Sequence, residues 1–185
     1  MPVPSSDFKK ALARLSDKEK EALVLRAVRR DAELYDTFGF ELLPDSTVEA
    51  VYETSADRIH ELFNVAVTGR LLNRSLVKAL RAALQEAARA RRVTKSKQLE
   101  IDLSMYTLRL IFEHYTGQFS SEYQGFFVGT ARLATRLTQL IPKNLHEDLW
   151  LEYKSELDGF LTQLHGRSKS RELKFELPRA LVIPE

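Results

Sequence analysis

The sequence predicts an all-α fold, an antiparallel multi-helix bundle of about seven helices, five of them long and of similar length, followed by an extended C-terminal tail. Three observations predict it. Helix breakers recur at even intervals from Pro44 onward, at Pro44, Gly69, Thr94 to Ser96, Gly117, Pro142 and Gly166. Apolar residues between them recur every three or four positions, the period of a helix with one buried face. Capping signals, a Ser or Asn followed three residues later by Glu or Gln, stand beside several breakers. Intervals of about 20 to 24 residues correspond to helices roughly 30 to 36 Å long at 1.5 Å per residue, and short connections turn such helices antiparallel.

In chain order, residues 7–43 hold shorter helices. Phe8, Ala11, Leu12 and Leu15 mark a brief amphipathic turn ending near Leu15. Ser16 and Glu19 then form a capping box that opens the next helix, with Ala22, Leu23, Ala27 and Val28 on its apolar side. Asp31 caps a continuation through Leu34, Tyr35, Phe38 and Leu42, weakened at Gly39 and stopped by Pro44. The last of these segments is acidic and would repel phosphate, which argues against a DNA-reading helix-turn-helix.

Residues 45–165 hold the five long helices. Ser46 with Glu49, Ser121 with Gln124, and Asn144 with Glu147 supply the predicted start signals. The segment Gln98 to Tyr115 is apolar around most of its circumference and belongs at the centre of the bundle. Alternation at Leu99, Ile101 and Leu103 also fits a strand, but the length of the segment favours a helix. Residues 166–185 are expected to be extended, because Leu173, Phe175 and Leu177 alternate with charged residues. That tail either lies along the bundle with alternate side chains docked or offers a strand to a partner sheet. The whole chain is expected to form a single helical domain.

A chain of 185 residues buries roughly 70% of its unfolded surface and needs no covalent staple. It has no cysteine, which excludes disulfides, thiolate metal sites and thiol nucleophiles. No apolar signal core opens the chain and no run of 18 uncharged apolar residues interrupts it, so a soluble cytoplasmic protein without a membrane segment is expected. The net charge of +2 is unevenly spread: between Leu62 and Leu99 nine Lys and Arg face one acid, Glu86, so that window carries +8.

Most of that charge forms a stripe. Arg70, Arg74, Lys78, Arg81, Arg89 and Arg92 fall within about one quadrant of a helix, opposite Leu72, Leu76, Ala79, Leu80, Ala83, Ala87 and Ala90. Asp45, Glu49, Glu53, Asp57 and Glu61 form an acidic ladder at four-residue spacing on the preceding helix. Complementary rows on neighbouring helices suggest ion pairs within the chain or between two copies of it. A basic row also tracks phosphates, although no aromatic side chains are interleaved with it as a single-strand binder requires.

Gly125 and Gly129 place small residues one turn apart beside Tyr123 and Phe126 and mark a candidate pocket. The aromatic run Phe112, Tyr115, Phe119, Tyr123, Phe126 and Phe127 reads as the packed end of the core. Glu53, Asp57, His60 and Glu61 resemble half of a carboxylate metal site, but a matching Glu-x-x-His on a second helix is missing. No phosphate loop, nucleophile elbow or zinc-protease motif appears, so no cofactor is implied and an enzyme has no positive signature. The expected function is therefore a non-catalytic interaction protein, self-associating or binding another protein through the acidic and basic faces. The alternative is a nucleic-acid accessory factor using the stripe, and a third reading is a ligand-binding or metal-dependent helical enzyme.

Overall fold

A computed structural model describes residues 3–168 and 173–182, with the backbone alone for Arg70. Among these residues every regular element is helical. Eight α-helices replace the expected seven: α1 (Ser6–Ala13), α2 (Asp17–Val28), α3 (Ala32–Leu42), α4 (Val48–Phe63), α5 (Gly69–Thr94), α6 (Lys97–His114), α7 (Gly125–Asn144) and α8 (Glu147–Ser168). A short 3-10 turn, Thr116–Ser120, joins α6 to α7.

Contacts divide the chain into two compact units, residues 1–46 and 47–185. In the first unit each helix begins on a side-chain cap. Ser5 accepts from the Phe8 N–H, Ser16 and Glu19 form the reciprocal box, and Asp31 accepts from the Glu33 and Leu34 N–H groups. None of α1, α2 or α3 contributes a buried residue. Helix α3 passes through Gly39 without a break and ends two residues before Pro44.

In the second unit α5 is the common partner, packing against α4, α6 and α7, while α7 also packs against α6 and α8. Helix α6 contributes ten buried residues, including Leu99, Ile101, Leu103, Met105, Leu108 and Ile111. It is the central helix its apolar circumference predicts, and the alternation at its start is not a strand. The five long helices span 16 to 26 residues and are less even than their breakers suggest.

Several boundaries move for local reasons. The cap of α4 is Thr47, which accepts from the Ala50 N–H, whereas Ser46 turns back to donate to the Gly39 carbonyl. Helix α7 starts at Gly125 without a side-chain cap, because Ser121 instead accepts from the Tyr123 N–H in the preceding turn. Pro142 sits in the last helical turn of α7, which runs on to Asn144. Asn144 donates to the Leu140 carbonyl rather than capping α8. Helix α8 continues past Gly166 to Ser168.

The aromatic end of the core is packed around Phe119, whose ring lies 5.5 to 5.9 Å from those of Phe112, Phe126 and Phe127. Phe112 stacks on Phe160 of α8 at 4.4 Å. Residues 173–182 form no helix or strand and lie docked on the bundle. Leu177 and Leu181 are buried, the Leu181 N–H donates to Asp158 at 2.6 Å, and Lys154 donates to the Leu181 carbonyl at 2.7 Å.

Candidate functional site

Helix α5 carries the basic stripe, and both of its ends use the left-handed region. Gly69 opens it at φ 63°, where a residue without Cβ is unstrained, and Lys95 follows its end at φ 60°. Leu76, Ala79, Leu80, Ala83, Ala87 and Ala90 are buried as predicted, while Leu72 is half-buried. On the opposite side Arg74, Lys78, Arg81 and Arg92 are exposed. Arg89 is half-buried and bonds Glu86 at 2.9 Å. The side chain of Arg70 lies outside the described residues. Arg74, Lys78 and Arg81 form no ion pair or hydrogen bond among the described residues.

The acidic ladder holds four residues of α4, not five. Asp45 precedes the Thr47 cap and lies in the first unit. Glu49, Glu53, Asp57 and Glu61 are all exposed, and a four-residue step turns each about 40° further round the helix than the last. The row therefore winds around α4 while the buried face, Ser55, Ala56, Ile59 and Phe63, meets the bundle. No ion pair joins ladder to stripe among the described residues. The pairing that does cross between α4 and α5 has the opposite polarity: Arg58 of α4 bonds Glu86 of α5 at 3.1 Å, and Ser55 donates to the same carboxylate. At its C-terminal end the ladder shares a groove with the stripe: Glu61, Arg89 and Arg92 line one groove of about 820 Å³. Leu62, which also lines this groove, is exposed.

A second groove, of about 420 Å³, runs between α5 and α7 and joins two features that were separate in sequence. Gly125 and Gly129 lie on its wall, with Val77, Leu80, Leu84, Val128 and Leu133 as apolar lining. A Cβ on Gly129 would stand 2.8 Å from Leu80 Cδ2, so the absence of a side chain lets these helices approach. Arg81 of the stripe shares the groove with Arg132 and Arg136 of α7, which the sequence reading did not single out. Their four-residue spacing just after a cation-free stretch was the available signal. Of the other candidate pocket residues, Phe126 is fully buried in the core and Tyr123 is exposed outside this groove.

Other charges serve the core. Glu100 of α6 is buried with its side chain only 5% exposed, and Arg91 and Arg136 clamp it at 2.8 and 2.6 Å. Arg109 pairs bidentately with Glu156, and the hydrogen bonds to that carboxylate raise the guanidinium pKa. Burial pushes the Asp102 carboxyl above its usual range, against the lowering effect of the hydrogen bond it accepts from Tyr153 at 2.6 Å. Burial, then the neighbouring Asp102, pushes the Tyr153 phenol well up. His60 is exposed, and no group of three or more His, Asp or Glu among the described residues is placed to hold a metal ion. Among the described residues no helix is long and apolar enough to cross a membrane.

The surface thus carries two rows of opposite sign, in which Arg74, Lys78, Arg81, Glu49, Glu53, Asp57 and Glu61 have no ion pair among the described residues, and one cationic, apolar-floored groove. No protein family model, curated protein or solved structure matches the chain.

Proposed function

We propose that this protein is a non-catalytic helical interaction module that self-associates by pairing the acidic row of α4 in one copy with the basic row of α5 in another. One observation carries the reading: Arg74, Lys78 and Arg81 on one side, and Glu49, Glu53, Asp57 and Glu61 on the other, are exposed without an ion-pair partner among the described residues. Two rows on consecutive helices form a self-complementary surface, the requirement of a two-fold dimer. The antiparallel course of α4 and α5 belongs to this reading and follows from the short connection between them. Exposed Leu62 adds apolar area beside Glu61, Arg89 and Arg92. Each surface pair contributes about 0 to 1 kcal/mol, so the charges select the partner and register more than they supply affinity.

Sedimentation equilibrium across a salt series tests this. Association is expected to weaken as salt rises, to be abolished by Arg74→Glu, Lys78→Glu and Arg81→Glu together, and to return when Glu49, Glu53 and Asp57 are changed to Lys in the same chain. A monomer at every concentration, or a reversal without rescue, rejects direct pairing.

Nucleic-acid binding is the second reading, favoured by the way Arg132 extends the cationic surface from Arg81 across to α7. Binding of random-sequence duplex with a log–log salt slope near −3.6, as about four phosphate contacts require, would put the stripe on a backbone and leave the ladder irrelevant.

A further inference from the structure

We propose that the groove between α5 and α7 binds a free single-chain amphiphile with an anionic head, a fatty carboxylate, with Arg81 and Arg132 holding the carboxylate and the apolar lining holding the chain. The cavity is about 420 Å³, within the range of roughly 300 to 1,000 Å³ typical of small-molecule sites, and is lined mainly by aliphatic side chains with a few charged groups, the composition such sites share. Its charge has one sign. Among the described residues Arg81, Arg132 and Arg136 line it and no Asp or Glu does. Arg136 is already committed to the buried Glu100, which also holds Arg91, so the acid behind the wall is fully used.

Arg81 and Arg132 differ from Arg136. Arg81 has no partner among the described residues, and Arg132 lies 5.6 Å from the centre of the Phe175 ring without a carboxylate. Two guanidiniums over an apolar floor focus a positive field into a low-dielectric concavity, which favours a monoanion placed there. The floor selects what the anion is attached to. Among the described residues no aromatic side chain lines the groove, so these residues offer a nucleotide base no stacking surface. Gly129 leaves the wall without a side chain where a Cβ would already crowd Leu80, which keeps the floor flat and aliphatic.

Calorimetric titration of the full chain with sodium decanoate, below its micelle-forming concentration and at physiological salt, tests the assignment. One-to-one binding is expected, with decanol at least about tenfold weaker and Arg132→Glu weakening decanoate by at least about tenfold while Arg132→Lys retains most of the affinity. Val128→Trp, which fills the groove without altering charge, is expected to abolish binding. Circular dichroism on each variant checks that the helices persist, and Arg132, an exposed side chain, keeps the test valid if Val128→Trp fails to fold. No binding at about 1 mM decanoate, equal affinity for decanol, indifference to Arg132→Glu, or binding only to vesicles of anionic phospholipid would each overturn the proposal. Arg132 belongs to neither charged row, so sedimentation of Arg132→Glu is expected to match the parent, and failure here leaves self-association standing.

Discussion

Cations of α5 and α7 lead two different lives in this molecule. Arg91 of α5 and Arg136 of α7 converge on one buried carboxylate, while Arg74, Lys78 and Arg81 of α5 have no partner among the described residues. Arg91 and Arg136 are each about half-exposed, 47%, so exposure alone does not separate the two sets. What separates them is Glu100, brought by α6 to a site closed to water. A buried charge must be compensated, and leaving it alone costs far more than any surface pair returns. Cations beside Glu100 are therefore structural; cations facing solvent contribute little to folding and are available for recognition.

The contrast breaks most sharply on removal of the clamp. Arg91→Ala with Arg136→Ala leaves Glu100 buried without a counter-charge and is expected to lower the unfolding free energy by about 3 to 5 kcal/mol in chemical denaturation. Each single change is expected to cost clearly less than half of that, because the remaining arginine still pairs, and the two are non-additive. A second buried polar group sharpens the point from the other side. The Asn73 amide nitrogen is buried and has no hydrogen-bond partner among the described residues, so Asn73→Leu is expected to stabilise the fold by about 1 kcal/mol, read as a higher denaturation midpoint.

A smaller, pH-dependent effect belongs to Asp102. Its carboxyl pKa is raised by burial, so the folded chain holds that proton more readily than the unfolded one. Stability attributable to this group is present at low pH and declines as pH rises from the ordinary carboxylate range through the raised value. Asp102→Asn is expected to flatten that part of the profile, and an unchanged slope would place the pH dependence elsewhere. Smallest of all is the stripe: Arg74→Ala, Lys78→Ala and Arg81→Ala are each expected to shift monomer stability by no more than about 0.5 kcal/mol. A loss several times larger would show that these cations are bound to something during folding.

Much of the architecture was legible because helices announce themselves locally. Ser16 and Asp31 cap where their spacing says they should, and the apolar circumference of Gln98 to Tyr115 identified the central helix without knowledge of its neighbours. Starts were missed where two residues compete for one cap, as with Ser46 and Thr47, or where a serine closes a turn of its own, as at Ser121. Pro142 and Gly166 read as stops in the sequence, yet α7 and α8 run past them. Arg132 and Arg136 are a single pair of cations four residues apart, too short a row to mark a site by itself. Only the approach of α5 turns them into part of a groove.

By itself the sequence determined the helices, the two faces of α5 and the sign of each row, because these follow from 3.6 residues per turn and the side-chain chemistry within a few positions. Tertiary structure decided which charges are spent. It set Glu100 between Arg91 and Arg136, paired Glu86 of α5 with Arg58 of α4, and merged Gly125 and Gly129 with Arg81 into one groove. Those outcomes depend on helix approach and on distances between residues tens of positions apart, which no local period encodes; through-space electrostatics, falling with distance and strengthened by burial, then assigns each charge its role.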